Sequence, residues 1–102
     1  MTMNELHSRL ASLGPEDLVL DVRSGEEYRE GHVARSRNIP YDQVAQFADE
    51  LKNYRQVYIY CHIGGRAQIA AHLLANLGLE NLTCIGNTGM KDWYAAGLPT
   101  EK

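Results

Sequence analysis

The sequence predicts an α/β fold in which a parallel sheet of four to five strands carries helices on both faces. Short apolar runs alternate with helical patterns along the chain, and this alternation is typical of a parallel sheet. The runs at 18–22 and 57–60 are nearly continuous, as expected of strands that are buried on both faces. Glycine or proline follows most of the helical patterns and marks where each helix ends.

Length and composition indicate one globular domain over residues 1–102, with 44% hydrophobic and 23% charged residues. A net charge of −3 disfavours nucleic-acid binding. No apolar run approaches the roughly 18 residues of a membrane span, and the first residues lack the basic and apolar regions of a secretory signal. We therefore expect a cytoplasmic protein without nucleic-acid or membrane partners.

The first half of the chain predicts a helix at the start, then two strands with a short helical turn between them, and a second helix after them. Thr2 and Glu5 have the spacing of a capping box, and the following leucines recur at helical spacing: Leu6, Leu10 and Leu13. The strand at 18–22 is followed by a short helical turn that begins at Ser24 and ends at Gly31. A brief strand at 38–40 and a helix over 42–51 complete this half.

The second half repeats the alternation. The strand at 57–60 is rich in β-branched and aromatic residues, and Cys61 follows it directly. A long amphipathic helix is predicted from five apolar positions: Ile69, Ala70, Leu73, Leu74 and Leu77. Gly78 closes that helix, a strand follows at 82–85, and a last helix over 90–96 ends at Gly97. Ligands of parallel sheets bind beyond the carboxyl ends of the strands, and Cys61 stands at that edge.

The residues after this strand have the composition of an anion-binding loop. They are Cys61, His62, Ile63, Gly64, Gly65 and Arg66. Two glycines allow backbone angles that aim N–H groups inward, and the helix that begins near Arg66 adds the positive end of its dipole. A lone cysteine is ordinarily an inert core thiol, but these neighbours favour a reactive thiolate at Cys61. Arg66 adds a cation with a planar fork that suits an oxyanion.

The motif Cys61-x-x-Gly64-x-Arg66 after an apolar strand resembles the active-site loop of the rhodanese family of sulfurtransferases. The family's first signature is similar to Asp21-Val22-Arg23, Glu27-Tyr28, Gly31-His32-Val33 and Asn38-Ile39-Pro40. Its C-terminal signature is similar to Gly89, Trp93 and Ala96-Gly97-Leu98-Pro99. The resemblance runs from about residue 18 to residue 99, in the expected order and spacing.

This resemblance implies a rhodanese-like fold with a five-stranded parallel sheet, and sulfur transfer through Cys61. The Cys61 thiolate would take the sulfane sulfur of a small donor such as thiosulfate, form a persulfide, and pass the sulfur to a thiol or protein acceptor. The residues at 62–66 would bind the substrate: His62, Ile63, Gly64, Gly65 and Arg66. We expect no cofactor and no metal site.

Two alternatives remain open at this point. The chain could be a sulfur-relay or protein-interaction module with little turnover of its own. A phosphatase-like relative is less favoured, because four residues separate Cys61 from Arg66. The phosphatase and arsenate-reductase relatives on this fold carry one residue more in that loop.

The chain departs from the family pattern at several places. Arg35-Ser36 stands where Gly-Ala is usual, Thr88-Gly89 where two glycines are usual, and Ala67 where a hydroxyl residue often follows the arginine. The N-terminal segment is short, so the first edge strand is expected to shrink to a residue or two at 1–3.

Five other side chains near the motifs are expected to have supporting or structural roles. We expect His62 to face solvent and shape access rather than to act as a base. His32 is expected to fix a turn by bonding backbone, and Asp21 with Arg23 to pair with each other or brace the loop. Cys84 is predicted to be an inert buried thiol, with a disulfide to oxidised Cys61 as the alternative.

Overall fold

A computed structural model describes all residues from 1 to 102. Its four parallel strands are β1 (Asp17–Asp21), β2 (Ser36–Asn38), β3 (Gln56–Tyr60) and β4 (Leu82–Cys84), in the order β2-β1-β3-β4. The helices are α1 (Met3–Arg9), α2 (Gly25–Glu30), α3 (Ala48–Leu51), α4 (Gly65–Asn76) and α5 (Met90–Ala95), with 3₁₀ turns at Leu10–Ser12 and Val44–Phe47. The predicted α/β fold with a parallel sheet is confirmed. None of the helices has the length and apolar character that crossing a membrane requires.

The two central strands, β1 and β3, determine where the sheet ends. They pair along their whole length, from Asp17 opposite Gln56 to Asp21 opposite Tyr60. Each buries four of its five residues. Since the strands are parallel and end together, Cys61 emerges next to the end of β1, at the carboxyl edge of the sheet.

Helices cover both faces of the sheet. On one face, Leu20 and Ile59 pack in a cluster with Ala70 and Leu74 of α4 and residues of α3. On the other, the cluster joins α1 and α5 to the sheet through Leu6, Val19, Tyr58, Tyr60 and Trp93. Both layers pack tightly against the strands and exclude water from them. Because this packing is close, it fixes the end of β3 and therefore the position of Cys61.

The local signals that begin and end helices behave as predicted. The Thr2 hydroxyl accepts the Glu5 N–H at 3.2 Å, and the Ser24 hydroxyl accepts the Glu27 N–H at 3.2 Å. In both cases the glutamate reaches back to the backbone of the capping residue, which completes a capping box. Gly78 has the left-handed conformation predicted for the end of α4, with φ 95°.

The burial pattern predicted for α4 is partly wrong. Ala70 and Leu74 are buried, but Ile69, Leu73 and Leu77 are 49%, 39% and 45% exposed. A stripe of small residues that includes Ala67 and Ala70 faces the sheet, and it lets the helix lie close. The larger side chains, spaced four residues apart, therefore lie on the flank of α4 rather than under it.

Two other elements differ from expectation. The segment at 42–51 is not one helix but the 3₁₀ turn Val44–Phe47 followed by the single turn of α3. The fifth strand that the resemblance implies is not in the sheet, and residues 1–3 form no strand. Instead the chain enters α1 at once, and the Met3 N–H donates to the Thr88 hydroxyl at 2.9 Å. Thr88 thus anchors the N-terminal segment.

Arg35, a departure from the family pattern, has a structural role. Its φ is 67°, a left-handed conformation that glycine adopts without strain. The guanidinium donates to the carbonyl oxygens of Leu10 and Leu13 at 3.1 and 2.9 Å. The side chain thereby satisfies carbonyl groups at the end of the first helical segment, and these contacts offset the strained backbone.

We expect Arg35→Gly to be more stable than Arg35→Ala by about 0.5–1 kcal/mol. Both variants lose the same two hydrogen bonds, so their difference is the strain of a Cβ at positive φ less the extra entropy that glycine has in the unfolded chain. Urea unfolding followed by circular dichroism measures the free energy of unfolding of each variant. Equal stabilities, or a more stable alanine variant, would contradict the assignment of strain to this residue.

Candidate active site

The loop after β3 places the sulfur of Cys61 at the N-terminus of α4. Cys61 Sγ accepts the N–H of Gly64 at 3.0 Å and the N–H of Ala67 at 3.3 Å. Both are backbone amides at the start of the helix, where the dipole is positive and N–H groups lack helical partners. The residue is only 1% exposed. This geometry aims two N–H dipoles at the sulfur, which favours a negative charge there.

Only one of the two loop glycines needs its conformational freedom. Gly64 has φ 115°, and a Cβ there would overlap the carbonyl group of Gly86. Gly65 is the first residue of α4, and a Cβ added to it would meet nothing within 4 Å. The tight turn predicted from the Gly64-Gly65 pair therefore depends on Gly64 alone.

The connection from β4 to α5 supports this loop from behind. A Cβ on Gly89 would overlap the carbonyl groups of Cys61 and His62. Those carbonyl oxygens accept the N–H groups of Met90 at 2.8 Å and Lys91 at 3.1 Å. Sequence analysis placed Gly89 in a signature but gave it no role, because a close approach of two backbones leaves no trace beyond a glycine.

Arg66 lies in an ion pair with Glu27 of α2. Its Nη1 and Nη2 atoms donate to the two carboxylate oxygens at 2.6 and 2.9 Å, a bidentate pair of parallel hydrogen bonds. Both side chains are 31% exposed. Hydrogen bonds from Arg66, aided by those from Ser24, lower the pKa of Glu27 from 4.5 to about 2. Glu27 thus occupies the same Arg66 nitrogens that an oxyanion would need. Sequence analysis did not assign Glu27 to the site.

His62 and Ile63 form the outer part of the loop. Ile63 is 64% exposed. His62 is half-buried and lies on a cavity of about 540 Å³. The cavity is also lined by side chains from the connection after β1, from α2, from α5 and from the C-terminal segment: Arg23, Glu27, Glu30, Tyr94, Thr100 and Lys102. That His62 shapes access to Cys61 stays a prediction.

Asp21 and Arg23 pair with each other at the end of β1. Both are buried, and Arg23 Nη2 lies 2.8 Å from Asp21 Oδ2. The same nitrogen donates to the carbonyl oxygen of Gly31 at 2.6 Å. His32 also has a structural role, as predicted, because its Nδ1 lies 2.8 Å from the carbonyl oxygen of Tyr28. These groups hold the turn after α2.

The second cysteine, Cys84, is a free thiol in the neighbouring strand. It lies opposite Ile59 in the register, two residues before Cys61, and is only half-buried. Burial raises the pKa of the Cys84 thiol above its usual range, and a negative charge at Cys61 adds to the effect. A thiol with a raised pKa is a poor nucleophile near neutral pH.

A cysteine sulfur bonded by backbone amides at the N-terminus of a helix, on a parallel α/β sheet, defines the class of protein to which this chain is similar. A sequence profile of the rhodanese-like domain matches residues 2–96. The chain therefore belongs to the rhodanese-like domain family.

Relatives with known sequences or structures agree with this assignment. The chain is 36% identical over 75 residues to the Bacillus subtilis protein named "Putative sulfur carrier protein YrkF", covering 74% of the chain but only 40% of that protein. It is 31% identical to thiosulfate sulfurtransferase GlpE of Pseudoalteromonas translucida, covering 85% of the chain and 83% of GlpE. The solution structure of the rhodanese-like domain of Alr3790 from Anabaena superposes with a TM-score of 0.84 at 28% identity, covering 99% of this chain and 76% of that one.

Gly64→Ala should destabilise the protein by about 2–4 kcal/mol, because the new Cβ combines positive φ with a backbone overlap. Gly65→Ala is the matched control and should change the free energy of unfolding by less than about 1 kcal/mol. Urea unfolding of both variants measures the difference. Equal effects at the two positions would show that the loop does not depend on the Gly64 conformation.

The pair of Glu27 with Arg66 should make stability depend on pH in acid. Because the pKa of Glu27 falls from 4.5 to about 2 on folding, its ionised form stabilises the fold above pH 4.5, and this contribution is lost as the pH falls towards 2. The stability difference between wild type and Glu27→Gln should therefore be constant near neutral pH and shrink below about pH 4.5.

Urea unfolding of both proteins across this pH range measures the difference. Glu26→Gln removes an exposed carboxylate one residue away and serves as the control. If the stability difference for Glu27→Gln did not change with pH, the carboxylate would not be paired in solution.

Proposed function

We propose that this chain is a sulfurtransferase that carries a sulfane sulfur as a persulfide on Cys61. The observation that carries the proposal is the Cys61 sulfur held by the N–H groups of Gly64 and Ala67 at a helix start. Membership of the rhodanese-like family supports it, as do relatives named sulfur carrier and thiosulfate sulfurtransferase. The proposed site consists of Cys61 and the loop of His62, Ile63, Gly64, Gly65 and Arg66.

The proposed cycle has two displacement steps at sulfur. The Cys61 thiolate attacks the sulfane sulfur of the donor, and the bond between the donor's two sulfurs breaks as its electron pair leaves with the donor remnant. An acceptor thiolate then attacks the outer sulfur of the persulfide and releases Cys61. Because Cys61 is almost completely buried, the donor has to present a narrow terminal sulfur to the loop.

Backbone amides would stabilise each anionic state of Cys61 in this cycle. Helix α4 fixes these amides, and the hydrogen bonds from Met90 and Lys91 fix the loop behind them. No reorganisation is therefore needed when charge develops on the sulfur. Cys84 would take no part, since burial and the nearby Cys61 disfavour its thiolate.

A sulfur-relay role is the second candidate, and the name of the relative YrkF favours it. In that case Cys61 would accept one sulfur and deliver it only to a specific protein thiol. The first displacement step is common to both candidates, and only the rate of turnover with small acceptors differs. A loaded Cys61 without turnover on cyanide or small thiols would identify the relay.

Incubation with thiosulfate or a small persulfide should add one sulfur atom to the peptide that contains Cys61. Cys61→Ser, a nearly isosteric change, should abolish this labelling and any thiocyanate formation with cyanide. Cys84→Ser is the matched control and should keep most of both. Intact-protein and peptide mass spectrometry measure the added sulfur.

Labelling of Cys84 in a folded Cys61→Ser variant, with loss of activity in Cys84→Ser, would show that Cys84 carries the sulfur and that the assignment to Cys61 is wrong. Absence of added sulfur on either cysteine with both donors would contradict the proposed function itself.

A further inference from the structure

The carboxylate of Glu27 is fixed against Arg66 by contacts on both sides. Its two oxygens accept the Arg66 fork, and Oε1 also accepts the Ser24 N–H at 3.1 Å and the Ser24 hydroxyl at 3.0 Å. Glu27 lies in the first turn of α2, where the helix dipole favours a negative charge. Moving this carboxylate away from Arg66 breaks hydrogen bonds to two residues. The ion pair is therefore a fixed part of the site.

The charges that face the cavity beside the loop cancel. Two cations, Arg23 and Lys102, and two anions, Glu27 and Glu30, line it. Arg66 does not line the cavity and is compensated by Glu27, while Arg23 is also paired with buried Asp21. An oxyanionic donor such as thiosulfate, with two negative charges, gains no net attraction there and approaches the carboxylate of Glu27.

We infer that Glu27 is a specificity-determining residue that disfavours oxyanionic sulfur donors and makes persulfides of neutral or zwitterionic thiols the preferred donors. This inference rests on the proposed function, because it concerns the donor of the first sulfur-transfer step. A persulfide R–S–SH brings no sulfonate group, so it needs no uncompensated cation.

The step with a persulfide is balanced without an additional reactant. A bond forms between Cys61 Sγ and the terminal sulfur of R–S–SH, and the S–S bond of the donor breaks. The electron pair leaves with R–S⁻, and the proton stays on the transferred sulfur. Cys61 is oxidised to the persulfide level as the donor is reduced to a thiol.

The test compares two donors, thiosulfate and cysteine persulfide, at constant ionic strength. Loading of Cys61 is followed by rapid mixing and mass spectrometry, which gives kcat/KM for each donor. Wild type should prefer the persulfide. Glu27→Gln should raise the ratio of kcat/KM for thiosulfate to kcat/KM for the persulfide by about tenfold or more, on the scale of one charge interaction near a protein surface. Glu26→Gln, the matched exposed control, should leave the ratio of the two donors unchanged.

Several outcomes would overturn the inference. They are an unchanged donor ratio in Glu27→Gln, a parallel loss with both donors, or a wild type that prefers thiosulfate. If Glu27→Gln fails to fold, the inference is tested on wild type by measuring how the rate of Cys61 loading from thiosulfate depends on salt concentration. A compensated site predicts a thiosulfate rate that does not fall with added salt, whereas an open Arg66 predicts a steep fall. Failure of the proposed function is distinct, because Cys61 would then load from neither donor.

Discussion

The site depends on one backbone conformation, the positive φ of Gly64. This conformation turns the chain sharply enough that α4 begins at the next residue. The amides of Gly64 and Ala67 consequently reach back to the sulfur of Cys61. A residue with a Cβ at position 64 would face both the strain of the left-handed region and the carbonyl group of Gly86. The environment of the Cys61 sulfur is thus built largely from main chain, and the parallel sheet supplies the edge at which the loop begins.

The order of the strands makes the same loop rigid. Because β4 lies beside β3, the connection from β4 to α5 passes directly behind the cysteine loop. Gly89 allows that close passage, and the N–H groups of Met90 and Lys91 bond the carbonyl oxygens of Cys61 and His62. The N–H side of the loop therefore faces the sulfur while its carbonyl groups are satisfied by α5. A loop bonded on both sides keeps its amides aimed without the help of a ligand.

Local sequence signals predicted most of the fold, whereas contacts between distant elements could not be predicted from one chain. The capping boxes at Thr2 and Ser24 and the left-handed Gly78 were predictable because they depend on residues three or four positions apart. The exposure of Leu73 was not, because periodicity does not say which flank of a helix meets the sheet. Arg66 and Glu27 are separated by 39 positions, and nothing in the sequence around either residue indicates that the two are paired. The cysteine loop was predictable because its residues are contiguous.

The ion pair links the electrostatics of the site to its mechanics. Arg66 and Ala67 are successive residues of α4, so the pair that ties Arg66 to α2 also holds the turn that presents the Ala67 N–H to the sulfur. The loop is thus braced by α2 on one side and by the start of α5 on the other. A free arginine would supply a stronger field but a looser anchor, because an unpaired guanidinium samples many rotamers. With the cation compensated, the amides become the main source of positive potential at Cys61. Their contribution is of short range, so it acts on the sulfur itself more than on the rest of a donor.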